Sequence, residues 1–111
     1  MTYDNRIAAS ALSALGHEMR LHIFRLLVKS GDRALSVGEI GAHVGAPPST
    51  LAHHLTALVQ AGLVEQERQG RTILNRASFD SMNRLIAYLS DECCAGVDEL
   101  PETGTSNDNA A

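Results

Sequence analysis

Residues 36–62, SVGEIGAHVGAPPSTLAHHLTALVQAG, carry the reading that decides the architecture. Ser36 and Glu39 have the spacing of a capping box, in which the hydroxyl and the carboxylate each satisfy a backbone donor left free at a helix start. A short helix is therefore predicted from here to about His43. Gly45-Ala46-Pro47-Pro48 then breaks the chain, and because proline is accommodated in a first helical turn, a second helix begins there. On it Leu51, Leu55, Leu58 and Val59 share one side. At about 100° per residue, Ser49, His53, Thr56 and Gln60 point nearly opposite. Two short helices around a glycine-containing turn, the second with a small polar outer face, describe a helix-turn-helix.

Beyond Gly62 the periodicity changes. Residues 63–68 and 72–76 read as two short strands joined through Gln69-Gly70-Arg71, with Gly70 free to take positive φ. That β-hairpin makes the unit a winged helix-turn-helix. Upstream, Ile7, Ala8, Ala11, Leu12 and Leu15 recur at helical spacing before Gly16, and Met19, Ile23, Leu26 and Leu27 do so before Gly31. Downstream, Phe79, Met82, Leu85, Ile86 and Leu89 predict a last helix reaching about Glu92. The expected fold is mainly α with a hairpin wing over residues 1–96, followed at 97–111 by an acidic tail without apolar period, read as disordered.

The chain has 111 residues, 44% of them apolar and 4% aromatic, with no Trp, so a single small domain with an aliphatic core is expected. A domain of this size buries only about two thirds of its unfolded surface, which favours association with a second copy. Ile7, Leu12, Leu85, Ile86 and Leu89 are the apolar side chains expected to cover one another in a homodimer. The net charge of −4 hides an asymmetry: six acidic residues and no Lys or Arg lie from Asp91 onward, which leaves seven acids against all nine basic residues and +2 on residues 1–90. No apolar run approaches a membrane span and no signal segment opens the chain, so a soluble cytoplasmic protein is expected. Its two cysteines, Cys93 and Cys94, are adjacent, which is poor geometry for a structural disulfide.

A helix with this outer face fits the major groove of DNA, where Ser49, Thr50, His53 and Gln60 offer hydrogen bonds to base edges or phosphates. Arg68 and Arg71 of the hairpin add cations for the backbone or the minor groove. The competing reading is a solvated surface, since the helix bears no Lys or Arg. His53 and His54 diverge on a helix, so a metal pair is disfavoured; His53 faces the groove and His54 is expected to pack partly inward. Nothing resembles a nucleophile elbow or a glycine-rich phosphate loop, and no catalysis is assigned.

Residues 9–96 resemble the ArsR/SmtB family of bacterial winged-helix repressors. The resemblance is carried by ALGHEMRLHIFRLLVKSG (14–31), VGAPPSTLAHHLTALVQAGLV (44–64) and ERQGRTILNRAS (67–78). It implies a homodimer formed by the first and last helices, operator binding without ligand, and release of DNA on binding an inducer. The family's cysteine site in the helix before the recognition helix is missing, because residues 37–44 hold no Cys. Its zinc site on the last helix is missing too, since no His follows His54. What remains is Cys93-Cys94 within YLSDECCAG (88–96), which is similar to an arsenic-responsive subgroup with a vicinal pair at this place. That subgroup often carries a third cysteine, and residues 95–111 have none.

Two thiolates suit a soft, thiophilic ion, whereas zinc would want four ligands. The expected inducer is trivalent arsenic, as methylarsenite or as arsenite completed by another thiol, with antimonite a chemical neighbour and no permanent cofactor. A single Cys at a helix end would be read as packing at the seam. Two in succession point about 100° apart on a straight helix, so for both to hold one ion the last turn must distort. The alternatives are a thiol redox or persulfide sensor on the same scaffold, and a protein-interaction module that does not bind DNA.

Overall fold

The computed structural model describes residues 2–98. In it α1 (Asn5–Leu15) and α2 (Glu18–Ser30) precede a two-residue strand β1 (Leu35–Ser36) and the pair α3 (Val37–Val44) and α4 (Pro48–Gln60). The wing strands β2 (Val64–Gln69) and β3 (Thr72–Ala77) and a last helix α5 (Phe79–Ser90) complete the element order. This is the winged helix-turn-helix expected from the sequence.

Every described helix but α4 starts where a polar side chain can serve its free donors. The Asp4 carboxylate accepts from Ile7 N–H at 3.1 Å, and Ser78 Oγ accepts from Ser81 N–H at 3.2 Å. The capping box on α3 is complete: Ser36 Oγ accepts from Glu39 N–H at 3.1 Å, and Glu39 Oε1 accepts from Ser36 N–H at 2.9 Å. The hydrogen bond from Ser36 N–H, assisted by Arg33 nearby, holds the Glu39 carboxyl below its ordinary pKa despite partial desolvation. At the far end of α3, Gly45 takes φ 72°, the left-handed conformation that turns the chain toward α4.

The core lies between these helices and the inner face of the sheet. Ile23 and Leu27 of α2, Ile40 of α3, and Leu51, Leu55 and Leu58 of α4 are fully buried against Leu35 and Leu63. Burying each such side chain contributes about 1.5–3 kcal/mol. In the sheet β3 is central, antiparallel to β1 on one edge and β2 on the other. Asn75, fully buried, ties the three strands together: its Nδ2 donates to Leu35 O at 3.0 Å and its Oδ1 accepts from Gln66 Nε2 at 2.8 Å. The wing turn is the two residues Gly70 and Arg71, with Gly70 at φ 63°. Glycine at the first position is what a type II′ hairpin turn demands.

Two expectations are corrected and one strand is added. β1 was not foreseen from the pattern. Leu85, expected on the outer stripe, is 6% exposed and faces the core, while Leu12, Ile86 and Leu89 are 44%, 57% and 60% exposed. The last helix stops at Ser90 rather than near Glu92. There Ser90 Oγ donates back to Ile86 O at 3.0 Å and competes with the helix's own ladder, and the acidic Asp91 and Glu92 oppose the negative end of the helix dipole. Of the segment read as a tail, residues 99–111 lie outside the described residues.

Candidate functional site

α4 presents two chemically distinct faces because its apolar residues recur at three and four. Leu51, His54, Leu55 and Leu58 are buried, whereas Ser49, Thr50, Ala52, His53, Thr56 and Gln60 are exposed. Pro47 caps the helix without a side-chain hydrogen bond, so the first backbone N–H groups, beside Ser49 and Thr50, remain open at the positive end of the dipole. The outward face bears no charge of its own. Its hydroxyls and one imidazole can therefore match base-edge donors and acceptors without an ion pair to break.

Behind that face, α4 is tied to α2 by polar contacts. His54, 7% exposed, accepts a hydrogen bond at Nδ1 from Arg20 Nε at 3.2 Å, and its ring lies 4.6 Å from that of His17. His17 in turn caps α2, its Nδ1 accepting from Met19 N–H at 3.2 Å. Burial lowers the pKa of His54, and His17, Arg20 and His53 push it the same way. The expected inward packing of His54 is thus observed. Arg20 is half-buried on that imidazole. A partner 34 residues away leaves no local signal in the sequence.

The wing places Arg68 opposite Ile73 and Arg71 in the turn, both exposed. Neither lies in an ion pair among the described residues, although Arg76 meets Glu67 at 3.1 Å and Arg33 meets Glu39 at 3.0 Å. Two cations at the wing tip thus remain available to phosphate.

Cys93 and Cys94 stand past the end of α5, in turns stitched by Cys93 N–H to Ser90 O and Ala95 N–H to Glu92 O, both 3.0 Å. Glu92 and Cys94 take positive φ, 60° and 66°. This irregular backbone turns two neighbouring side chains the same way: the sulfurs are 3.3 Å apart, both exposed and both free thiols. The divergence expected on a straight helix does not arise, and no helical turn has to break for one ion to meet both. Among the described residues no group of three or more His, Cys, Asp or Glu could hold a metal ion. The sequence-derived positions therefore form separate places: Ser49, Thr50 and His53 on the first half of α4, Gln60 at its far end, Arg68 and Arg71 on the wing, and the thiol pair beyond α5.

A helix-turn-helix domain family model matches residues 15–67. The nodulation protein NolR of Rhizobium meliloti is 36% identical over 88 residues, 79% of this chain and 70% of NolR. Among solved structures, an ArsR-like transcriptional regulator from Rhodococcus superposes with a TM-score of 0.68 at 30% identity, covering 77% of each chain. The chain belongs to the ArsR family of winged-helix transcriptional regulators. A further member of the family's fold, a homodimeric winged helix-turn-helix DNA-binding domain from Mycobacterium bovis, matches with a TM-score of 0.63 at 25% identity over 85% of this chain and 93% of its own. Proteins of this ArsR type are regulators that bind DNA, and no described helix here is long and apolar enough to cross a membrane.

Proposed function

We propose that this ArsR-family chain is an arsenic-responsive repressor, a homodimer that holds operator DNA until a trivalent arsenical joins Cys93 to Cys94. The observation that carries the ligand is the 3.3 Å separation of two exposed free thiols. Methylarsenous acid has two hydroxyls to exchange. Each Sγ forms one As–S bond, each hydroxyl leaves with a thiol proton as water, and the methyl group stays on arsenic. Arsenite keeps one hydroxyl after the same exchange, so it binds less tightly unless a thiol from the partner or from solution displaces that group too. Soft thiolate donors favour such an ion over harder ones.

On DNA, Ser49, Thr50 and His53 read base edges from the first half of α4, Gln60 contacts the duplex near its far end, and Arg68 and Arg71 engage phosphate from the wing. The two copies pair through α1 and α5. Leu12, Ile86 and Leu89 lie exposed there, and Tyr88, which donates to Asn5 Oδ1 and packs 5.2 Å from the Tyr3 ring, binds those helices within each chain. A ring closed through arsenic fixes the exposed turn four residues beyond Leu89 and sets a bulky apolar group beside the α5 seam, and this alters the spacing of the two recognition helices. A coupling of about 1–3 kcal/mol weakens DNA binding 5- to 150-fold.

The test is an electrophoretic mobility shift on the duplex upstream of the protein's own gene, with reduced protein alone and with arsenite, methylarsenite or peroxide. Release by the arsenicals, one methylarsenite per chain, supports the reading. Release by peroxide alone replaces it with a thiol redox sensor, for which the same sulfur separation is suited. Failure of the reduced protein to bind the duplex leaves a protein-interaction module.

A further inference from the structure

α1, α2 and α4 meet around a polar hollow of about 240 Å³ that the recognition helix and the wing do not account for. Ser10 and Ser13 of α1, Arg20 of α2 and Gln60 of α4 supply its polar groups, and alanines form the rest of its wall. Arg20 spends its Nε on His54, which orients the guanidinium and leaves its two terminal amino groups as donors. Among the described residues no carboxylate lies within ion-pair reach of Arg20, and no acidic side chain lines the hollow. An oriented, uncompensated guanidinium beside two hydroxyls and a carboxamide is chemistry for a tetrahedral oxyanion.

The position selects which oxyanion. Gln60 shares the outward face of Ser49 and His53, eleven residues further along and so about 16 Å down the helix axis from Ser49. The major groove is about 12 Å wide between its phosphate rims, so a helix whose first half reads bases carries its far end out to a rim. We infer that this hollow seats a backbone phosphate of duplex DNA, so that the DNA footprint extends from α4 and the wing onto α1 and α2. The inference rests on the DNA-binding reading above. At about 100° per residue Ser10 and Ser13 lie on a different side of α1 from Leu12, so pairing of two chains through Leu12 leaves the seat open. A dimer has two such seats, one at the C-terminal end of each recognition helix.

The experiment compares Ser13→Asp with His22→Asp, each an exposed position that gains one negative charge, the second on the side of α2 opposite Arg20 and away from the α1 and α5 seam. Affinity for a mixed-sequence duplex and for the duplex upstream of the gene is measured by fluorescence anisotropy across a range of salt, alongside thermal unfolding. Ser13→Asp is expected to bind both duplexes about 10-fold more weakly, with a log–log salt slope smaller by about 1, the loss of one phosphate contact. His22→Asp is expected to track the wild type, and neither to change the unfolding midpoint. If Ser13→Asp and His22→Asp bind alike while Arg71→Ala weakens binding, DNA recognition stands and the seat is refuted. Weakening confined to the upstream duplex also refutes it, since a phosphate contact carries no sequence information. A wild type that binds neither duplex overturns both readings.

Discussion

The adjacent pairs His53-His54 and Cys93-Cys94 meet opposite fates. On α4 a regular helix gives the two imidazoles different surroundings although their ring centroids are 5.6 Å apart, one on the exposed face and one in a buried contact with Arg20 and His17. Beyond α5 an irregular turn brings the two sulfurs together, and residues 91–98 are all exposed. The reading region is over-determined by caps, a buried imidazole and leucine packing. The turn proposed as the sensor rests on two hydrogen bonds. Regions built with few buried contacts open and rearrange at low free energy, which suits a site that must close on an ion. A base-reading surface needs the reverse, side chains held by a rigid support.

The sharpest way to break this contrast is on α5, where support and seam lie side by side. Leu85→Glu places a carboxylate in the core and is expected to cost more than about 3 kcal/mol, enough to unfold a small domain at ordinary temperature, as circular dichroism would show. Leu89→Glu, on the exposed stripe, should leave each chain folded and shift sedimentation from dimer to monomer. Equal unfolding by both would mean that the stripe is part of the core after all.

Next in size is the buried imidazole. The folded-state pKa of His54 lies below its ordinary value of 6.5, so as pH falls through that value the unfolded chain takes up its proton first. The unfolded state then binds more protons, and stability, fully present above pH 6.5, declines toward the folded-state value. Urea midpoints measured downward from neutral pH should follow this decline. His54→Gln keeps an acceptor for Arg20 without titrating and should flatten it; an unchanged pH dependence would remove His54 from the account.

Smaller again is the α3 capping box. Ser36→Ala is expected to cost about 1 kcal/mol, read as a lower urea midpoint at unchanged slope, because Glu39 N–H loses its acceptor.

How much of this was legible beforehand follows the range of each interaction. The capping box, the Gly45 stop, the two faces of α4 and the Gly70 turn are local, and the residues that make them stand within a few positions of one another. β1 was not legible because Leu35 and Ser36 are too short to show a period; they form a strand only because β3 offers them Leu74 and Asn75. The Arg20–His54 contact and the inward aim of Leu85 depend on how helices pack, which no single segment records. The thiol pair was read on the wrong backbone: leucines at 85 and 89 continued the helical period, while Ser90, Asp91 and Glu92 ended it.

The smallest expected effect on stability is at the cysteines, and there the contrast between the two regions is most exposed to failure. Both thiols are exposed and packed against no core, so Cys93→Ser and Cys94→Ser, singly or together, should change stability by no more than about 0.5 kcal/mol. They should leave DNA affinity intact, since neither residue lies on α4 or the wing. Serine keeps the size and the hydrogen-bonding capacity of the side chain but offers a soft ion only a hard oxygen, so each single variant should lose release by methylarsenite. Titration of the reduced protein, with arsenical uptake and DNA release read together, measures this. Undiminished release from the double variant would mean that the exposed turn is not the sensor, and that whatever releases DNA acts on the better-supported half of the molecule.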